Sequence, residues 1–336
     1  MSLHQPETFE LAALRDSLVA RLRGQPARGR AAAYEGASLG SLRTLSKIRA
    51  GLNHGDEFLG GTGSDFSNLI SQATRRRVVD FMAPATSTAR TLCSPVNLAD
   101  FKPSPVFGVD PPRLNPVGED GMVELGLPAD PGEPARLRSV ARRVVLSGQV
   151  IANDDARALD SLARDFALSV RDAEDSRFVV VLLANADTAD GVPYFDADHG
   201  NLLAGAALNA TSLALASAAL RAQTSATGAE LNLEPWALLV GPKLEQTARA
   251  LLRAITVEGS PTPRLVVESR ISDESWYVFA DPAVRPAFAI GWLDGQRNPL
   301  VIGRESFEHF GIELQVSHHF AVSPLDWRAA VLTPAP

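Results

Sequence analysis

Apolar residues recur at three- and four-residue spacing along several long stretches of this chain, and at every second position in others. Phe9, Leu11, Leu14, Leu18 and Leu22 predict an amphipathic helix over residues 6–23. The Gly/Pro/Arg stretch Gly24–Arg30 breaks it, and a second helical run is predicted over Ser38–Leu52, followed by a glycine-rich linker at Gly55–Gly63. Residues 1–63 read either as an appended, scaffold-like helical segment or as a flexible terminus. A third helix is predicted from Ser64, with Ser64 or Asp65 as its cap and Arg75-Arg76-Arg77 along its length.

Residues 103–136 are crowded with proline, glycine and acidic side chains. A loop of that length is uncommon inside a compact domain and is usually functional. Its flanks, Pro105–Val109 and Arg136–Ser147, alternate apolar and polar residues as the two strands of a projecting hairpin would. Asn153-Asp154-Asp155 then predicts a helix start. Leu159, Leu162, Phe166, Val170, Ala173, Phe178 and Leu182 continue that helix through Asn185, giving an element roughly 45 Å long. The β-branched run Val179-Val180-Val181 would also suit a buried strand, but the unbroken period favours one helix.

Beyond the polar stretch Asp187–Asn201, helices and strands alternate. A helix is predicted over Ser212–Gln223 with Ser212 as cap, a strand over Trp236–Val240, and a helix from Pro242 to Ile255. Strands are predicted at Arg264–Ile271, Trp276–Ala280 and Phe288–Leu293, with three more in residues 299–332. In the last group Ile312, Leu314, Val316, His318 and Phe320 alternate strictly. No repeat of solenoid length is present, and the class is α+β.

Composition narrows the chemistry. The single cysteine, Cys93, excludes an internal disulfide framework and any multi-cysteine zinc site. No window approaches 18 uncharged apolar residues, and the start MSLHQPETFE lacks the order of a secretory signal. The expectation is a soluble protein of a reducing cytoplasm, with no membrane partner. The net charge of −7 is uneven, with +4 over the first 105 residues and −11 over the rest. Such a body offers no broad electrostatic footprint to DNA or an anionic membrane.

The most enzyme-like cluster is Asp198-His199-Gly200-Asn201, which sets an acid beside an imidazole base that it could orient. Adjacent residues seldom point at one another, no G-x-S-x-G elbow is present, and a turn held by local hydrogen bonds is the better reading. His318-His319 would face opposite sides of a strand and cannot share a metal ion, so a surface or interface role is expected for both. Gly60, Gly61 and Gly63 lack the G-K-[ST] of a phosphate loop, and Arg75-Arg76-Arg77 reads as a solvated helix face. No catalytic, cofactor-binding or metal-binding residue is therefore assigned, and no cofactor is expected. A projecting arm, a long helix and no catalytic constellation point to a structural or assembly role.

Seven stretches in order resemble the major capsid proteins of tailed phages with the Hong Kong 97 fold, specifically the Mu-like major head subunit family. They are Ser64-Asp65-Phe66-Ser67-Asn68-Leu69, Asp100-Phe101-Lys102-Pro103, Ile151-Ala152-Asn153-Asp154-Asp155, and the run from Phe195 to Leu202 through Asp198-His199-Gly200-Asn201. The others are Pro235-Trp236-Ala237-Leu238-Leu239-Val240, Trp276-Tyr277-Val278-Phe279-Ala280-Asp281-Pro282 and Asp326-Trp327-Arg328. The family includes chains fused behind a prohead protease, a half that has no counterpart here. The resemblance implies an amino-terminal arm at 64–106 and an extended hairpin arm at 107–142, lying across a neighbouring subunit. It further implies a peripheral domain with a spine helix at 143–203, an axial domain at 204–295 and returning peripheral strands at 296–336.

The function so implied is a shell of pentamers and hexamers around double-stranded DNA, located in the virion and assembled in the bacterial host cytoplasm. Its partners would be other copies of itself, a portal, a scaffold or prohead protease, and DNA held without sequence preference. An encapsulin-like nanocompartment shell around a cargo enzyme is the alternative, and a hydrolase using His199 a remote one. Some capsids of this fold cross-link an arm lysine to an asparagine. Here only Lys47, Lys102 and Lys243 occur, none within residues 103–142, so the shell is expected to be non-covalent.

Overall fold

The longest periodic stretch of the sequence folds as one helix of 29 residues, Ala156–Ala184, and Val179-Val180-Val181 lies inside it. The computed structural model describes residues 9–49, 64–83, 87–107, 132–153, 156–226, 228–256, 262–305 and 311–336. In chain order the helices are α1 (Phe9–Arg23), α2 (Leu39–Arg49), α3 (Ser64–Met82), α4 (Thr88–Leu92), α5 (Gly148–Ala152), α6 (Ala156–Ala184), α7 (Ala210–Arg221) and α8 (Glu245–Ile255). The strands are β1 (Cys93–Leu98), β2 (Ser104–Val106), β3 (Glu133–Ala135), β4 (Arg138–Ser147), β5 (Ala237–Val240) and β6 (Arg264–Val267). They continue with β7 (Trp276–Phe279), β8 (Phe288–Leu293), β9 (Leu300–Glu305), β10 (Gly311–Pro324) and β11 (Ala330–Thr333). Among the described residues no helix is long and apolar enough to cross a membrane.

The chain divides into two units, the first comprising Met1–Ala85, Ser139–Asp172 and Gln296–His319. Its core joins Leu14, Leu18, Leu39 and Leu42 of the front helices to Phe66 and Ile70 of α3, Phe166 of α6, and Leu314 of β10. Helices α1 and α2, which the sequence suggested were an appendage, are therefore part of this core. Their apolar stripes bury against α3, which is enough to order helices too short to be stable alone. Ion pairs brace the same layer: Arg23 donates to both oxygens of Asp80 at 2.8 and 2.7 Å, and Arg76 to Asp16 at 2.6 Å. Strand β9 runs antiparallel to β10, from Ile312 opposite Glu305 to Ser317 opposite Leu300. Gly303 of β9 has no room for a Cβ, which would stand 2.6 Å from the Ser67 carbonyl of α3. The missing side chain lets strand and helix touch.

The second unit comprises Thr86–Arg138, Ala173–Gly295 and Phe320–Pro336. Here β1 runs parallel to β8, and β8 antiparallel to the end of β10. A separate four-stranded sheet has the order β11-β7-β5-β6. Strands β5 and β7 are buried at every position, as central strands covered on both faces are. Strand β6 is parallel to β5 and is reached through a crossover containing α8, which a parallel neighbour requires. Helix α7 contacts β7 and β11 in this sheet, and α8 contacts β6.

Several sequence expectations are corrected. Strand β2 pairs antiparallel with β3, Pro105 opposite Pro134, and not with the run Arg136–Ser147, whose β4 adjoins β10. Asn153 closes α5, with its N–H donating to Gln149, and does not start α6; Asp154 and Asp155 lie outside the described residues. The cap of α7 is Asn209, and Ser212 is its reciprocal partner at the third helical position. The glycines Gly60, Gly61 and Gly63, the side chains of Ser64 and Asp65, and residues 108–131 of the arm also lie outside the described residues.

Candidate functional site

His199 lies in a loop of the second unit built by local chemistry. Asn185 ends α6 with a positive φ of 43°, accepts from the Phe195 N–H at 2.6 Å and donates to the Phe195 carbonyl at 3.0 Å. The chain thus folds back on itself. Asn201, fully buried, donates to the carbonyls of Tyr194 and Trp327 at 2.8 and 3.0 Å and accepts from the Asp196 N–H. Its carbonyl receives the Leu332 N–H, and Tyr194 donates its hydroxyl to the carbonyls of Ala287 and Asp326.

Within that loop the His199 ring is buried and stacked on Trp327, at 4.0 Å between centroids and 5° between planes. Its Nε2 stands 3.1 Å from a carboxylate oxygen of Asp190, and its Nδ1 stands 3.2 Å from the Tyr194 carbonyl. The acid that meets the ring is Asp190, nine residues away, and not the neighbouring Asp198. Burial works against ionisation of Asp190, but hydrogen bonds from Thr188, the Val192 N–H and His199 hold its carboxyl below the usual range. One face of the ring is covered and both of its nitrogens stand beside acceptors. A general base needs a free nitrogen within reach of a substrate proton. Behind it, Arg285 donates to Asp326, both buried, and Asp326 caps the turn at Trp327 by accepting from the Arg328 N–H.

The other candidates fall elsewhere. His318 is buried at 2% exposure in the first unit, which overturns the surface role expected for it, whereas His319 is half-buried with Nδ1 2.8 Å from the Ser139 hydroxyl. Strand β10 buries Glu313 and Ser317 along with the alternate apolar residues, so neither of its faces is simply the wet one. Of the arginine run, Arg76 pairs with Asp16, while Arg77 pairs with Asp160 and Asp80 and covers the Phe81 ring at 4.5 Å. Two of the three guanidiniums are thus engaged within the chain, and Arg75 is exposed. Lys102 is exposed at the base of the β2–β3 ribbon, 4.0 Å from Asp100.

A buried acid pair on α6 escaped the sequence reading. Glu174, fully buried, accepts from Arg90 through Nε and Nη2 at 2.6 and 2.9 Å and from the Trp292 indole N–H at 2.9 Å. Asp175 accepts from the Ser87 hydroxyl at 2.6 Å and the Ala89 N–H at 2.9 Å, at the start of α4. Burial pushes the Asp175 carboxyl up, and the nearby Glu268 adds to this against the Ser87 and Ala89 bonds and Arg270. Burial, with Asp175 and Glu174, also pushes the Cys93 thiol well up, leaving it an unreactive core residue. Among the described residues no group of His, Cys, Asp and Glu could hold a metal ion.

The β2–β3 ribbon is sided. Val106 and Ala135 join a core with Leu137, Leu98 and Ala289, while Pro105 and Pro134 face out and Phe107 is exposed. Gly132, at a φ of +76°, lies directly under the Phe107 ring, where a Cβ would come within 2.9 Å.

Residues 132–333 match a family model described as phage capsid protein. No curated protein matches the sequence. Among solved structures, a phage-related protein from Bordetella bronchiseptica RB50 is 15% identical with a TM-score of 0.50, covering 76% of this chain and 95% of that one. A Mycobacterium phage Bobi structure is 13% identical with a TM-score of 0.50, covering 75% of this chain and 91% of that one. The procapsid of bacteriophage JBD30 gives 11% identity and a TM-score of 0.48 over 80% and 75% of the two chains. At such identities the likeness to the first two is one of fold.

Proposed function

The chain belongs to the phage capsid protein family, and on that premise we propose that it is a tailed-phage major head subunit of the Mu-like group, enclosing double-stranded DNA. It is a structural protein of the virion shell and not an enzyme, and its α+β architecture is the Hong Kong 97 type. The observation that carries the reading is the family match, which runs from the base of the hairpin ribbon through the last strand. The single helix α6 and the paired ribbon base β2–β3 support a spine helix and a hairpin arm.

In this reading residues 64–106 form an amino-terminal arm, and residues 107–142 extend over a neighbouring copy. The body is split between peripheral and axial parts. A portal and a scaffold or prohead protease take part in assembly, which occurs in the host cytoplasm. DNA is held only by weak, sequence-independent contacts, since the body of the chain is acidic.

Three measurements test this. Particles should carry double-stranded DNA when recovered from phage-producing cells; shells that carry a protein cargo and no DNA would favour a nanocompartment. Deleting Pro111–Gly132 should leave folded subunits that fail to close, and normal particles from that deletion would refute the arm assignment. Boiled in denaturing detergent, mature particles should run as monomer bands, because the arm offers no lysine for an isopeptide bond. A ladder of covalent multimers would contradict this.

A further inference from the structure

From Gly200 through Leu220 the sequence holds no charged residue, yet much of this stretch is exposed. At its centre, α7 turns one stripe inward: Leu213, Ala216 and Leu220 are buried. Its contacts with β7 and β11 account for that stripe. The opposite stripe is Thr211, Ala214, Leu215 and Ala218, all exposed, with Leu215 at 62%. A helix lying on a sheet has no need of a second apolar stripe and usually shows charge there. Helix α8, in the same unit and of nearly the same length, does so: Gln246, Arg249 and Arg253 face out, and Arg249 pairs with Glu245.

We propose that the outward stripe of α7 is an interface that a second copy of this chain covers. The inference rests on the shell reading, which supplies many identical copies and therefore an occupant. Charge chooses among surfaces. A stripe with no charge cannot compensate the desolvation of a charged surface such as the outer face of α8, so its partner must be equally neutral. The chain supplies such a surface itself, in the α7 stripe of each further copy. Ala214 and Ala218, one helical turn apart, leave a shallow groove beside Leu215 that lets another backbone approach closely. Depletion of charge around a central apolar side chain is the composition expected at the core of an interface.

The test uses the full chain. Ala218→Cys introduces a thiol on the stripe, and the native Cys93 is buried and stays silent. Maleimide should label the introduced thiol at least about tenfold more slowly in particles than in unassembled subunits, since interface cores exclude solvent. Leu215→Arg should cut particle yield by about tenfold or more with the subunit still folded, whereas Arg253→Glu on α8 should leave yield unchanged. Equal labelling in particles and subunits, or normal assembly of Leu215→Arg, would overturn the proposal while leaving the shell reading intact. If Leu215→Arg does not fold, the labelling ratio decides alone. Failure of the unaltered chain to form particles would instead defeat the shell reading, and this inference with it.

Discussion

Asp80 in the first unit and Asp175 in the second are both carboxylates that tie one helix to another part of the chain, and they titrate in opposite directions. Asp80 sits on α3 among cations: burial opposes its charge, but Arg23 and Arg77 hold its carboxyl below the usual range. Asp175 sits on α6 against a hydroxyl and a backbone amide; burial dominates and Glu268 adds to it, so its carboxyl is pushed up. What separates them is the charge of the donors together with the depth of burial, Asp175 being 7% exposed and the Asp80 side chain 29%. A guanidinium offsets the desolvation of a carboxylate, whereas a serine hydroxyl and one N–H do not. Acids with perturbed titration often mark active sites. Both of these instead hold helices in place, in a protein that is not an enzyme.

The largest effect should come from the residue beside Asp175. Glu174→Ala removes a buried acceptor from the partly exposed Arg90 and from the buried Trp292 indole and should cost about 2–3 kcal/mol, read as a lower urea midpoint of the unassembled subunit. A loss below about 1 kcal/mol would mean the site relaxes and the buried fork is not needed.

Asp175→Asn sharpens the comparison through pH. The folded-state pKa of Asp175 lies above its unfolded value, so the native state binds the extra proton and stability rises as pH falls from neutral through the folded pKa. The unaltered subunit should therefore gain stability from this group on acidification toward about pH 4. The asparagine variant should lack that gain and be as stable as the parent, or more so, at neutral pH. An unchanged slope would show that another group carries it.

A small loss is expected at Asp80→Asn, about 0.5–1 kcal/mol at neutral pH, because the ion pair with Arg23 is partly solvated. Its folded pKa is depressed, so its contribution is present above the unfolded value and lost as pH falls through the folded one. The two variants should thus change the acid limb of the stability curve in opposite senses. If both change it alike, the contrast between the sites is wrong.

These pairs also show where the sequence was legible. Helix α6 could be read because its apolar period never breaks, and β8 was placed at Phe288–Leu293 because its run is bounded by Pro286 and Gly295. The acid pair was invisible: Glu174 and Asp175 look like any solvated helix residues until Arg90 and Ser87, over eighty positions away, are folded against them. The partner of β2 was missed because Glu133-Pro134-Ala135 carries no strand propensity, and tertiary burial of Val106 and Ala135 overrides that. His318 shares its strand face with Ile312, Leu314 and Val316 and is buried with them, so its alternation with apolar residues was the better guide to its place. For His199, the neighbouring acid drew attention, while a loop closed by Asn185 and Asn201 delivers Asp190 instead.

Electron microscopy of the purified, unaltered chain at assembling concentration tests the central claim most directly. The account predicts closed, hollow shells of uniform diameter, built from this chain alone or with its assembly partners. A population of monomers or small oligomers under all such conditions, carrying a hydrolytic activity that His199→Ala abolishes, would contradict it.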